Sequence, residues 1–353
     1  MLQSASLPLL SVVFLGAAAV VYVASIYVSD TTDVLSIRWK LGQALSGLVL
    51  LAVVTNLPEL VITVSAALAD NVDLAVGNVL GGIAIQTVVL VVFDVFGTGR
   101  SKGLTYWASS LQLVIEASVV VAVLSVTVMG SQLSSAFLVF RVTPPEILIV
   151  CLWLGGVWII AKARTGLPWE REGAAPGGQQ APRGTAKRKK HRRMKAAGNS
   201  TRYVVGVFLL AALATLVGGV VLERTSDLIA RRTGVSGAIF GATALAAVTS
   251  LPEVATGMAA IKLGDCELAI SDIFGGNGFL PTLFLVASLL SGRAVLATMP
   301  PSTLYLTALG ILLTSIYSIG LIVRPRRQRF RMGIDSLLVL SLYCLGVLGL
   351  ATM

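Results

Sequence analysis

Two stretches of this sequence carry the same chemistry: Thr55-Asn56-Leu57-Pro58-Glu59 and Thr249-Ser250-Leu251-Pro252-Glu253. Each sets a carboxylate directly after a proline inside a long apolar run. A proline has no amide hydrogen and clashes with the carbonyl four residues back, so the two breaks free oxygens at Val54 and Val248. A freed carbonyl beside a threonine hydroxyl is a hard oxygen ligand. A carboxylate in hydrocarbon is costly unless it is paired, protonated or neutralised by a cation. Two glutamates among oxygen-only neighbours suit Ca2+ or another hard cation, whereas Zn2+ or Cu2+ would call for His or Cys. The only histidine, His191, sits in a basic run, and Cys151, Cys266 and Cys344 show no CxxC spacing. His-based metal sites, Ser-His or Cys-His nucleophiles and a disulfide framework are therefore excluded.

The duplication extends beyond the motif. Residues 44–86 and 238–280 align without a gap at an offset of 194, with 14 of 43 positions identical, where chance would give only two or three. Each copy continues into a glycine-bearing stretch, Gly77-Asn78-Val79-Leu80-Gly81-Gly82 and Ser271-Asp272-Ile273-Phe274-Gly275-Gly276-Asn277. Paired glycines let helices approach closely. Asn78 and Asp272, polar at matching positions, are candidates for orienting the opposing motif or a hydrated ion. Gln86 falls on the right helix to join the site. Glu116 interrupts a span without a repeat partner, and Asp94 is expected to be solvated near a helix end.

The elements that must position these groups are membrane helices. The 353 residues are 56% hydrophobic and only 12% charged, with a mean hydropathy of +0.87, which a solvated surface cannot accommodate. Ten apolar runs are long enough to span: 7–28, 41–69, 72–96, 104–129, 146–162, 203–223, 235–262, 266–290, 302–323 and 333–352. The first lacks a basic n-region and reads as a retained helix. The two copies start five spans apart, so one is upside down relative to the other, the pattern of secondary transporters with discontinuous helices. The predicted fold is an all-α membrane protein of two inverted-topology five-helix repeats, 1–162 and 202–353, joined by a basic disordered linker at 163–201. With the N-terminus outside, 22 of the 27 Lys and Arg residues fall on the inside and five outside, so both termini are expected outside and the linker in the cytoplasm of a multi-pass cell-membrane protein. The net charge of +10 resides largely in Lys187 to Lys195 and Arg324 to Arg331. Without interleaved aromatics, these runs are topology signals rather than a nucleic-acid surface. The linker run would also be drawn weakly to anionic lipid.

At these residues the sequence resembles the calcium/cation antiporter superfamily, which includes sodium/calcium and calcium/proton exchangers. The resemblance covers most of the chain except the linker. Family members carry a Gly-Thr-Ser-x-Pro-Glu element followed by Gly-Ser-Asn-x-x-Asn or Asp in each copy. It implies that Glu59 and Glu253 bind the transported ions, that Thr55, Thr249 and Ser250 assist, with Asn56 standing where the second copy has Ser250, and that the carbonyls of Ala52 and Ala246 line side sites. The second element departs from the pattern: its serines become Gly82 and Gly276, its first asparagine becomes Ile83, and its last polar positions fall on Gln86 and Leu280. Gln86 and Asn277 remain as oxygen donors.

The expected activity is antiport, not enzymology, and requires no cofactor. Ca2+ exchanges for H+ or Na+ by alternating access at the two-glutamate site. Because Leu280 and the two glycines remove oxygens that several Na+ ions would need, the sequence leans toward protons, which need no coordination shell. A degenerate, non-transporting ion sensor or scaffold is the competing expectation. An intramembrane protease is not supported, because Lys262-Leu263-Gly264-Asp265 lacks the Gly-x-Gly-Asp pattern and no partner aspartate is evident.

Overall fold

A computed structural model of the protein describes residues 5–39, 52–98, 102–108, 110–133, 141–163, 198 and 200–350. The start of the first repeat and nearly all of the linker lie outside the described residues. Eight helices are long and apolar enough to cross a membrane: α1 (Leu7–Arg38), α3 (Val72–Gly97), α4 (Leu111–Ser131), α5 (Pro144–Ala163), α6 (Thr201–Thr233), α7 (Gly237–Lys262), α8 (Cys266–Ser291) and α9 (Pro301–Val323). Two shorter apolar helices, α2 (Leu57–Leu68) and α10 (Ile334–Leu350), bring the set to the expected ten. A turn of helix at 52–55 precedes α2.

Helices α1 and α6 are 32 and 33 residues long, well past their expected ends at 28 and 223. Neither tail contains Gly or Pro, so nothing stops the helix where the apolar run ends. α6 stops only at Gly234, in the left-handed conformation that closes a helix (φ 74°). At about 50 Å each, they outrun a hydrocarbon layer of about 30 Å. The expected 104–129 span is instead two pieces, a helical turn at Leu104–Trp107 and then α4, which Ser110 caps by accepting from the Gln112 amide (3.3 Å).

The repeat is visible in the hydrogen bonds as well as the sequence. α2 ends with the Asn71 amide donating to Ala66 (2.8 Å), and the first copy's counterpart in α7 ends with the Asp265 amide donating to Ala260 (3.0 Å), a 194-residue match at both ends. The turn residues between, Asp70 and Gly264, both take positive φ (58° and 84°). Close packing differs between copies. A Cβ on Gly77 would lie 2.2 Å from the Ala238 oxygen, and one on Gly81 would lie 2.2 Å from the Ala242 Cα, so α3 and α7 meet backbone to backbone. Gly275, the mate of Gly81, faces open space.

The two halves interlock. α10 packs against α3, and α5 against the end of α8. Asp94 of α3 is fully buried rather than solvated. It accepts from the Leu104 amide (2.7 Å), the Thr98 hydroxyl (3.2 Å), the Gly333 amide (2.7 Å) and the Ser336 hydroxyl of α10 (2.7 Å). In the other copy Ser288, at the place of Asp94, donates to Glu146 of α5 and accepts from the Val295 amide (3.1 Å). Glu146 also accepts from the Thr143 amide (2.8 Å), at the start of α5.

The glycine asymmetry gives a matched pair of variants. Gly81→Ala should cost about 1–3 kcal/mol through overpacking of α3 on α7, while Gly275→Ala should be neutral or stabilising by up to about 1 kcal/mol. Unfolding of the purified variants in one detergent checks this, and equal shifts would contradict the close approach.

Candidate functional site

The site is built on two helix breaks. With no amide hydrogen at Pro58 and Pro252, the helix is interrupted two residues earlier: Asn56 leaves helical geometry (φ −96°, ψ 27°) and Ser250 is flattened to φ −83°, ψ −3°. Helix then restarts at Leu57 and Leu251, with Glu59 and Glu253 in its first turn. The N-terminal end of a helix dipole favours negative charge, so each break places its carboxylate where the backbone field supports it. A π-helical segment at Gly241–Leu245 precedes the second break. Such bulges are common at functional sites.

Matched side-chain bonds hold both breaks rigid. The Ala52 carbonyl accepts from the Asn56 amide (3.3 Å), the Thr55 hydroxyl (3.3 Å) and the Asn56 side chain (2.8 Å). The Ala246 carbonyl accepts from the Ser250 amide (3.1 Å), the Thr249 hydroxyl (3.2 Å) and the Ser250 hydroxyl (2.7 Å). These two carbonyls, singled out as ligands, are thus engaged by donors of their own turn. The threonine hydroxyls thus lie against the backbone, and Thr249 is also within hydrogen-bond reach of Glu59.

Glu59 is fully buried and Glu253 nearly so. Glu59 lies beside Thr249, and Glu253 is within electrostatic range of Glu59 and of Asp272. Among the described residues, both Glu59 oxygens and one of the two Glu253 oxygens lack a hydrogen-bond donor. Asp272 accepts from Thr256, one turn beyond Glu253 (3.1 Å). Its neighbour Ser271 donates to Glu116 (2.9 Å), which joins α4 to the site helix. The contributions of Thr256 and Ser271 were not read from the sequence, although the i+3 spacing of Thr256 from Glu253 was available.

The remaining candidates divide unequally. A Cβ at Gly276 would lie 3.1 Å from Asn56 Oδ1 and 3.6 Å from Gln86 Oε1, so these amides occupy the space a serine side chain would take. At the matching Gly82 the neighbour is Leu280, with Cδ1 at 3.7 Å. One flank is polar and the other apolar. Gln86 is fully buried with both amide atoms unpartnered among the described residues, as is Asn78 on the same helix. Asn277 donates to the Ile83 carbonyl (3.4 Å) and to Thr87 (3.3 Å), while its Oδ1 lacks a partner there. The assembly presents carboxylate and amide oxygens with few competing donors, which is the chemistry of a dehydrated hard cation or of protons.

The flanks predict different responses to restored serines. Gly82→Ser has room and should leave stability unchanged, whereas Gly276→Ser must displace the Asn56 amide and should cost about 1 kcal/mol. Thermal unfolding of both variants measures the difference, and a larger loss at Gly82 would refute the assignment of flanks.

Comparisons with known proteins bear on the family and the fold. The family model described as sodium/calcium exchanger protein matches residues 9–161 and 203–351. The inner membrane protein YrbG of Escherichia coli (strain K12) is 25% identical over 236 residues, covering 66% of this chain and 65% of that protein, so the match spans just under two thirds of its length. Among solved structures, the H+/Ca2+ exchanger CAX is similar with a TM-score of 0.67 at 14% identity, covering 97% of this chain and 82% of that one. The sodium-calcium exchanger NCX_Mj is similar with a TM-score of 0.59 at 14% identity, covering 97% and 99%.

Proposed function

Because the chain belongs to the sodium/calcium exchanger protein family, we propose that it is a secondary-active antiporter that exchanges Ca2+, or a similar hard divalent cation, for H+ or Na+ at the Glu59–Glu253 site. The observation that carries this reading is the pair of carboxylates inside the bundle, three of whose four oxygens lack a donor among the described residues. Such a pair cannot stay charged and empty. It must hold a cation or protons, and alternation between the two is exchange.

Protons are the preferred counter-ion in this reading. Leu280 stands beside Gly82 where an oxygen would serve a monovalent ion, while two carboxyls accept two protons without further ligands. Amides at Asn56, Gln86 and Asn277 support the Na+ alternative on the other flank. The count of basic residues, 22 against five, supports cytoplasmic placement of the face carrying the linker, with both termini outside.

Glu59→Gln and Glu253→Gln should each insert normally and abolish Ca2+ exchange in proteoliposomes, since the amide keeps shape but cannot neutralise a divalent ion. Exchange at the unmodified rate by either variant would refute the shared site, and no flux from the unmodified protein under either gradient would favour the sensor reading. Ca2+ uptake driven by an imposed pH gradient is expected. Uptake that follows a Na+ gradient at clamped pH, and ignores a pH gradient, would overturn the proton assignment. Deletion of 172–195, a segment with little apolar surface, should leave exchange measurable in the same assay.

A further inference from the structure

The ten residues between α9 and α10 form a small structure that the transport site does not use. Strand β1 (Gln328–Arg329) pairs antiparallel with β2 (Met332–Gly333) in a two-residue hairpin. Both loop residues, Phe330 and Arg331, have positive φ (54° and 66°). That backbone normally selects Asn-Gly, and each side chain there adds strain of about 1–2 kcal/mol. Phe330 at the tip is 80% exposed. Packing explains neither the residue nor the strain, since this aromatic ring is presented rather than buried.

Charge surrounds it. Arg326, Arg327, Arg329 and Arg331 are all exposed, and none forms an ion pair among the described residues. The nearby acids do not neutralise them. Asp94 is buried and holds four donors, and Asp335 is buried and accepts from Thr105 (2.6 Å). Two further cations converge on Tyr106 from below: Lys102 donates to its hydroxyl (2.7 Å) and Arg324 donates to its carbonyl. The Lys102 hydrogen bond, with added charge from Arg326 and Arg324, holds the Tyr106 hydroxyl below the usual tyrosine range. Trp107, edge-on to Tyr106 at 5.7 Å and 45% exposed, adds a second aromatic surface.

Position selects the partner. Three residues separate Gly333, at the foot of α10, from the tip, a reach of about 10 Å. That is close to the screening length of about 8 Å at physiological ionic strength, so the arginines remain inside the field of the membrane surface. We propose that the 324–333 hairpin is a binding site for anionic phospholipid headgroups, with Arg326, Arg327, Arg329 and Arg331 holding the phosphates and Phe330 entering the headgroup–acyl boundary. The amide of Gly333 and the hydroxyl of Ser336 connect this hairpin to Asp94, and hence to α3, the helix that carries Gln86. Headgroup occupancy therefore acts on the anchoring of a site helix, while the lipid contact itself does not depend on which ion is transported.

The test uses the full chain in nanodiscs made with and without phosphatidylglycerol, counting co-purified anionic lipid by native mass spectrometry. The unmodified protein should retain phosphatidylglycerol above its bulk fraction, less so at high salt, and inorganic phosphate should not displace it. Replacing the four arginines by Gln should remove the enrichment, each contributing roughly a fivefold factor, whereas Arg→Lys at the same positions should keep most of it. Neutralising Lys187 to Lys195 instead should leave it intact and serves as the control for the linker. In a Phe330→Trp variant, whose arginines are untouched, phosphatidylglycerol with brominated acyl chains should quench the new indole and aqueous iodide should not. Equal enrichment in the four-arginine variant, loss on altering the linker run alone, or quenching by iodide only would overturn the proposal. Quenching by iodide only would leave the hairpin to an acidic soluble partner.

Discussion

Two buried carboxylates, three of whose four oxygens lack a donor among the described residues, are set into breaks in two helices, and this is the constraint around which the molecule is arranged. A buried charge with no partner is tolerated only when the surrounding scaffold is held firmly enough not to collapse onto it. Here the scaffold is over-determined: three donors on each of the Ala52 and Ala246 carbonyls fix the geometry ahead of each proline. Those same bonds draw the Thr55, Thr249 and Ser250 hydroxyls toward the backbone, with Thr249 also in reach of Glu59. On the function proposed above, a cation or proton from solution removes the deficit of donors that remains.

The frame is symmetric and the lining is not. Offsets of 194 residues recur in the breaks, in the turns at Asp70 and Gly264, and in the pairing of Gly82 with Leu280 against Gly276 with Gln86. In the exchange proposed above, a symmetric backbone would give two access routes of opposite direction, since what one copy does at one face the other does at the opposite face. Side chains then differentiate the routes. Amides from Asn56 and Gln86 fill one flank, while the leucine on the other offers no ligand. An exchanger that must hold a divalent ion and release it to a different counter-ion has use for such unequal flanks, because an ion drawn equally to both would bind without preference for either occupancy.

Much of this was legible in the sequence because it rests on backbone chemistry. Proline dictates a break wherever it falls inside a helix, and a 194-residue offset needs only identities to be seen. The ends of α1 and α6 were not legible, since hydropathy marks where hydrocarbon stops while the helix ends only where Gly234 turns the chain. Asp94 was misread for the same reason: an acid near the end of an apolar run looks solvated, and its four donors come from 98, 104, 333 and 336, which no local pattern brings together. The filling of Gly276 by Asn56 and Gln86 was equally hidden. Loss of a serine suggests a lost ligand, and only the fold reveals that amides from the opposite copy stand in its place.

The interlock of the halves gives the repeat a further meaning. Asp94 on α3 grips Ser336 of α10, and Ser288 on α8 grips Glu146 of α5, so the acid and the hydroxyl exchange places between the copies. Each glycine-bearing site helix is anchored at its far end by the last helix of the other half. Neither half can then move its site helix without carrying an element of its partner. The carboxylates of Asp94 and Glu146 at these anchors have donors on both oxygens, while the side chains of Gln86 and Asn78 and both Glu59 oxygens at the centre lack partners among the described residues. A buried hydrogen bond left unmade costs about 1–3 kcal/mol, a cost at the centre that, on the function proposed above, a bound ion would offset.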